Sequence, residues 1–264
     1  MKRAVWLLCL VALVATGCNL VGGGGDPVQA IKSEGKLTCG VKFDVVGFGF
    51  RNPETNEIEG FDADLCRAIA QEMGVQADLQ EAVSANRIPF LQEDKVDLII
   101  STFTANDERR QQVDFSHIYY VAGQSILVKE DSDIAGVDDL NGVNVCSVEG
   151  STSEANVREQ APDAELVLFK TYTEAGQALV DGRCDAVSTD NTILFGLARQ
   201  FEGTKVLPET FTEEPLAIGM KKGSTALVTQ VNQTLEKMKA DGRLAQLHDQ
   251  HIKPFTNTDY EAPF

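Results

Sequence analysis

The sequence predicts an α/β protein of two similar lobes, each a mixed sheet flanked by helices, joined by a two-strand hinge. Three observations carry that expectation. Runs with strand chemistry, such as "KLTCGVKF" and "VDLIIS", alternate with amphipathic helical patterns such as "GFDADLCRAIAQEMG", the order that builds α/β layers. Residues 91–102, "LQEDKVDLIIST", match residues 179–190, "LVDGRCDAVSTD", without a gap, so Asp97 falls on Asp185 and Thr102 and Asp190 become equivalent strand ends. Two extended segments, "YYVAGQSILV" around Gly123 and "EEPLAIGMKKG" around Pro215 and Gly219, are placed to cross between the halves. The chain then divides into a first lobe of residues 36–123 and 220–264 and a second of residues 124–219, with a hinge that permits closure over a ligand.

The elements follow in order. Residues 1–17 read as an export signal, with Lys2 and Arg3 ahead of an apolar run too short to span a bilayer comfortably. Its end, Ala15-Thr16-Gly17-Cys18, resembles a bacterial lipobox with Ala15 where leucine is commoner, so Cys18 is expected to carry lipid. The glycine-rich residues 18–35 read as a flexible tether. After the strand "KLTCGVKF" comes a helix that Asp62 or Asp64 can cap, with Leu65, Ile69 and Met73 at i+4 spacing and Gly74 to stop it. Pro89 lies in the first turn of the short helix "NRIPFLQED", where its missing N–H costs nothing. The apolar run "VDLIIS" then suits a strand buried on both faces. In the second half, "GVNVCSVEGSTSEANVREQ" is a strand, a turn and a helix, and "YTEAGQALVDGRCDAVSTDN" is a helix running into a strand. The stretch "TALVTQVNQTLEKMKADGRLAQLHDQH" supplies helices that return to the first lobe. Of Phe43, Phe48 and Phe50, one is expected to wall the cleft and the others to fill core.

The formal net charge of -17 becomes -19 once Lys2 and Arg3 leave with the signal, which excludes nucleic acid as a partner. Any cationic pocket must be built locally. Cys9 leaves with the signal and Cys18 goes to the lipid, so Cys39, Cys66, Cys146 and Cys184 remain, and export favours disulfides between them. No CxxC spacing suggests zinc. Cys39 with Cys66 and Cys146 with Cys184 is the pairing that keeps each bridge within one half, and it treats Cys39 and Cys146 as equivalent strand positions.

The chemistry gathers at strand ends, where open α/β sheets bind ligands. After "VDLIIS", Thr102 and Thr104 offer hydroxyls and N–H groups, and Arg109 a turn later can lay its planar fork on a carboxylate while Arg110 points to solvent. In "EGSTSEA", Gly150, Ser151 and Thr152 stand at a helix N-terminus, where free N–H groups favour an anion. Asp190, at the matching strand end, supplies the opposite charge. A carboxylate clamp with an acidic partner for an ammonium is what an α-amino acid requires. The histidines offer little to catalysis, and the HxxH of His248 and His251 reads as surface rather than as a metal site.

Between about residues 36 and 251 the motifs "GVKFD", "GFDADLCRAIA", "SANRIPFLQ", "STFTANDERRQQVDFSHIYYVAGQ", "GST" and "DAVSTDN" resemble the polar amino acid-binding proteins of ABC importers, most of all their glutamate/aspartate-binding branch. The cysteine positions also look like those of the general polar amino acid binders, which carry two disulfides. The resemblance implies the periplasmic-binding-protein fold and a monomer outside the cytoplasm, held to the membrane only by its N-terminal lipid, that hands a free L-amino acid to an ABC permease and has no cofactor and no catalysis. It further implies that Arg109 grips the α-carboxylate with Thr104 and with Thr152 or Ser151, and that Asp190 and the Thr102 region hold the α-ammonium. Lys42 and Arg87 stand where the acidic-ligand branch places cations for the side-chain carboxylate, and Tyr172 matches a pocket position. Glutamate is then the expected ligand, aspartate the second, and broad binding of glutamine or asparagine the alternative. A dehydratase on the same fold is the remaining one.

Overall fold

The computed structural model describes residues 26–264; the expected export signal and the expected lipid-bearing Cys18 lie outside the described residues. The described chain opens on α1 (Pro27–Glu34), where the sequence suggested a tether. Asp26 accepts a hydrogen bond from the Val28 N–H at 3.0 Å, Pro27 occupies the first turn, and the cap residue Gly35 takes φ 70°. Val28 and Ile31 bury into the core, so the segment gains enough apolar contact to be helical.

The first lobe is then laid down as β1 (Lys36–Val41), a small antiparallel sheet of β2 (Asp44–Val45), β3 (Gly49–Arg51) and β4 (Ile58–Glu59), α2 (Phe61–Met73), β5 (Gln76–Glu81), α3 (Arg87–Gln92), β6 (Leu98–Ile99), α4 (Asp107–Gln112) and β7 (Val113–Ala122). Past Gly123 the chain enters the second lobe with β8 (Gln124–Lys129), β9 (Asn144–Val148), α5 (Thr152–Gln160), β10 (Glu165–Phe169), α6 (Tyr172–Val180), β11 (Ala186–Asp190), α7 (Asn191–Gln200) and β12 (Thr204–Val206). It returns through β13 (Glu214–Lys221) and ends in α8 (Thr225–Ala240), α9 (Arg243–His251) and α10 (Lys253–Thr256).

The two larger sheets share one plan, β5-β1-β6-β13-β7 and β10-β9-β11-β8-β12, parallel through the first three strands and antiparallel beyond them. The internal repeat is visible in its hydrogen bonds. Asp97 accepts from the Thr38 N–H at 2.8 Å, and Asp185 does the same for Asn144 at 2.9 Å. The register departs from expectation by one residue, because Cys39 pairs with Leu98 while it is Val145, not Cys146, that pairs with Ala186. Cys146 therefore faces the other side of its sheet from Cys39. Cys39 is bonded to Cys66 on α2, and Cys146 to Cys184 just ahead of β11, with Cα atoms 6.4 and 5.8 Å apart.

One boundary moves. Residues 214–219, expected in the second lobe, pair as β13 with β6 and β7, so the second crossing lies ahead of Glu214. The cores follow the apolar patterns: Leu98, Ile99 and Ile100 are fully buried, and Leu65 and Ile69 of α2 pack against β1 with Val231 and Leu235 of α8. Among the described residues no helix is long and apolar enough to cross a membrane.

Candidate functional site

The site begins where β6 ends. Thr102 holds φ 42°, a left-handed conformation that a β-branched residue resists. Asp62 stabilises it: one carboxylate oxygen accepts from the Thr102 N–H and the other from the Tyr119 hydroxyl, each at 2.8 Å. Burial raises the Asp62 carboxyl to about 6. Asp62 is thus no helix cap, the role its position suggested; the cap of α2 is Gly60. The turn aims carbonyls at Arg87, whose guanidinium donates to Ser101 O at 3.0 Å, Thr102 O at 2.8 Å, Ser84 O at 3.1 Å and, across the cleft, Gly150 O at 3.2 Å. Its cationic face lies 4.6 Å from the Phe103 ring centroid. Burial and the neighbouring Arg109 lower it to about 9.

Arg109 comes from α4, whose cap Asn106 accepts the Arg109 N–H at 2.9 Å. The side chain is buried, donating to Thr104 O at 2.9 Å and to the same Gly150 carbonyl at 3.1 Å, while Arg110 is exposed. Two guanidinium groups of the first lobe thus converge on one acceptor of the second. Glu214 links the lobes beside them: its Oε2 accepts from Thr104 Oγ1 at 2.8 Å and Thr152 Oγ1 at 2.7 Å, and its Oε1 from Thr212 and Asn156, both at 2.9 Å. Ser151 is occupied elsewhere, capping α5 through Glu154 N and donating to Val148 O at 2.7 Å.

A third group closes the cleft. Lys42, at the end of β1, is 1% exposed, donates to Ser84 Oγ at 2.8 Å, and lies 5.4 Å from the Tyr172 ring centroid. Burial, opposed chiefly by Asp44, lowers its ammonium to about 7. Asp190, at the end of β11, is 4% exposed; burial and Glu214 raise its carboxyl to about 7. Among the described residues its carboxylate accepts no hydrogen bond from the protein, which leaves it available to a donor. Tyr172 opens α6, buried, with its hydroxyl raised to about 12 by that burial.

Lys42, Arg87, Thr102, Thr104, Arg109, Thr152, Tyr172 and Asp190 therefore meet in one buried cleft, and Ser151 stands behind it as a cap. Two expectations change. Arg87 spends its donors on main-chain carbonyls instead of facing a ligand side chain, and His248 is buried against Tyr120 and Tyr260 instead of lying on the surface. His251 pairs with Asp64 at 2.7 Å. Phe48 is core, while Phe43 and Phe50 are half-buried. Among the described residues no cluster of His, Cys, Asp and Glu is placed to hold a metal ion. Asp44, Asp62, Ser84 and Glu214 were not expected at the site; each is a lone polar residue whose partner is distant in sequence.

Two lobes with paired crossings and a charged, buried cleft between them define a solute-binding protein. The chain belongs to family 3 of the bacterial extracellular solute-binding proteins, whose model matches residues 37–254, and this membership places it outside the cytoplasm. It is 40% identical to the ABC transporter glutamine-binding protein GlnH of Bacillus subtilis over 95% of this chain and 98% of that one. To the glutamate-binding protein GluB of Corynebacterium glutamicum it is 35% identical, over 92% and 87%. Of these two the glutamine binder is the more similar, against the glutamate branch expected from the motifs. Among solved structures, an ancestral arginine-binding protein bound to glutamine superposes with TM-score 0.79 at 36% identity, covering 85% of this chain and 99% of that one.

Proposed function

We propose that this chain captures a free L-amino acid, glutamine first and glutamate second, between closing lobes and delivers it to an ABC permease, as a monomer tethered by lipid on Cys18. The observation that carries this reading is the meeting of Arg109 and Asp190, a cation from the first lobe and an unengaged carboxylate from the second, in one buried cleft. Arg109 takes the α-carboxylate, and Thr104 and Thr152 redirect their hydroxyls to it from Glu214 as the ligand enters. Asp190 takes the α-ammonium. Lys42 donates to the side-chain carbonyl, and Tyr172 walls the methylenes.

Arg87 and Lys42 together would favour a side-chain carboxylate, but Arg87 is committed to carbonyls and Lys42 has Asp44 beside it. A neutral amide then suits the pocket without adding an anion. The names of the similar proteins support glutamine and leave glutamate as the second ligand.

A thermal-shift screen over the twenty amino acids tests the ligand class, because ligand at 100 times its dissociation constant adds about 2.7 kcal/mol of stability. Glutamine is expected to give the largest shift. Arg109→Ala should then weaken every amino acid by about 2–5 kcal/mol, since all share the α-carboxylate. Arg110→Ala should leave them unchanged, and calorimetry showing equal losses for the two arginines would overturn the assignment. Proton NMR of the ligand after prolonged incubation should show no turnover, which separates transport from dehydratase chemistry.

A further inference from the structure

Asp44 takes no ligand-binding role in this reading, yet it touches both lobes. It opens β2, two residues beyond Lys42, on the cleft edge of the first lobe. Its Oδ2 accepts from the backbone N–H of Tyr172, the first residue of α6 in the second lobe, at 2.7 Å. Its carbonyl accepts from Thr173 Oγ1 at 3.3 Å.

Helix α6 already carries a complete local cap. Thr171 Oγ1 accepts from the Glu174 N–H at 3.2 Å, and Glu174 Oε2 accepts from Thr171 N at 3.0 Å and Lys170 N at 3.2 Å. That box leaves the Tyr172 N–H without an intrahelical acceptor, as every first-turn donor must be. The acceptor that serves it comes from the opposite lobe, and as a carboxylate it also meets the positive end of the helix dipole. The same helix N-terminus places the Tyr172 ring against Lys42, so Asp44, Lys42 and Tyr172 form one cluster across the cleft.

We infer that Asp44 is a positioning and specificity-determining residue, whose carboxylate latches the first lobe onto the N-terminus of α6 when the cleft closes and whose charge balances Lys42 so that a ligand amide is preferred to a carboxylate. The inference rests on the amino acid reading above. It assigns the latch to the acceptor atom and the preference to the charge, and two substitutions separate them. Asp44→Asn keeps an acceptor for the Tyr172 N–H and removes the charge. Asp44→Ala removes both.

The experiment measures equilibrium affinity for glutamine and glutamate by calorimetry, and release of labelled glutamine into excess unlabelled ligand. Asp44→Asn should shift the affinity ratio toward glutamate by about tenfold. Asp44→Ala should show that shift and also release glutamine about fivefold faster than Asp44→Asn, the usual consequence of losing a helix-terminal acceptor. Hydrogen exchange at the Tyr172 amide, measured with ligand bound, should be slow in the wild type and fast in Asp44→Ala. An unchanged affinity ratio in Asp44→Asn overturns the specificity role. Equal release rates in the two variants overturn the latch. If the wild type binds no amino acid, the functional reading itself fails; if it binds and the variants match it, only the role of Asp44 fails.

Discussion

Asp190 and Lys42 bring opposite charges into one cleft, and burial pushes both toward neutrality. Asp190 rises to about 7 from 3.8, so between pH 4 and 7 the folded chain holds a proton that the unfolded chain has lost. Stability therefore falls as pH rises through that window. Asp62, raised to about 6, adds to the fall. Lys42 is lowered to about 7 from 10.5, so between pH 7 and 10 the unfolded chain holds the extra proton and stability rises with pH. The ligand-free protein is accordingly expected to be least stable near pH 7, with slopes of at most about 1.4 kcal/mol per pH unit from each group. Asp190→Asn should flatten the acidic side and Lys42→Met the basic side. Thermal unfolding of the ligand-free proteins from pH 4 to 10 checks this, and a wild-type curve that peaks at pH 7 and keeps its shape in both variants refutes it. If glutamine binds as proposed, it should remove the dip, because its ammonium and carbonyl would give both groups partners.

The turn that enters α5 shows how one element governs closure. Gly150 sits at φ 74°, and a Cβ on it would stand 2.7 Å from the Ala85 Cα and 3.0 Å from the Ala85 nitrogen in the opposite lobe. Backbone atoms cannot give way as a side-chain tip can. Gly142, in the same lobe, has φ 80° and nothing within 4 Å of the corresponding point. Alanine at either site pays the same left-handed strain of about 1–2 kcal/mol. Only at Gly150 does it also block the closed cleft. Gly150→Ala and Gly142→Ala should thus lower the ligand-free melting temperature alike, while Gly150→Ala alone loses at least about tenfold in glutamine affinity; similar affinities in the two would refute the contact's role. Elements of this kind are unequally legible in the sequence. Helix α2 is plain from Leu65, Ile69 and Met73, and α1 is masked by the glycine run ahead of it although Asp26, Pro27 and Gly35 mark its ends. The short strands β2, β3 and β4 carry no pattern of their own, since tertiary pairing decides them. At the site, Arg109, Thr104, Thr152 and Asp190 are legible because a strand end or helix start announces each. Glu214 and Asp44 are not, because they meet Thr104 and Tyr172 at sequence separations of 110 and 128.

At the scale of the molecule, the lobes are joined by two crossings that run side by side: Glu214 and Pro215 pair with Ala122 and Val121, and Phe211 N donates to Gln124 O at 2.9 Å. Such a ribbon resists shear and tolerates bending, so lobe motion reduces to opening and closing about one edge. Across the cleft the protein supplies its own bonds, from Arg87 and Arg109 to Gly150, from Thr152 to Glu214, and from Tyr172 to Asp44. These contacts make the closed form accessible, but moving the equilibrium from 1:99 to 99:1 takes about 5.5 kcal/mol of differential affinity. In the proposed reading Arg109 grips from the first lobe and Asp190 from the second, so a zwitterion touching both should bind the closed form selectively. Glutamine should therefore lower the radius of gyration of the wild type in small-angle scattering. In Asp190→Asn, saturated with glutamine at raised concentration, the first-lobe grip remains while the ionic bridge is gone, and the decrease should be smaller or absent. The measurement belongs at 0.15 M salt, where the Debye length of about 8 Å screens repulsion between these strongly acidic molecules from the scattering curve. Equal contraction in Asp190→Asn and wild type would mean that the protein's own cross-cleft bonds, and not the bridging ammonium, hold the lobes together.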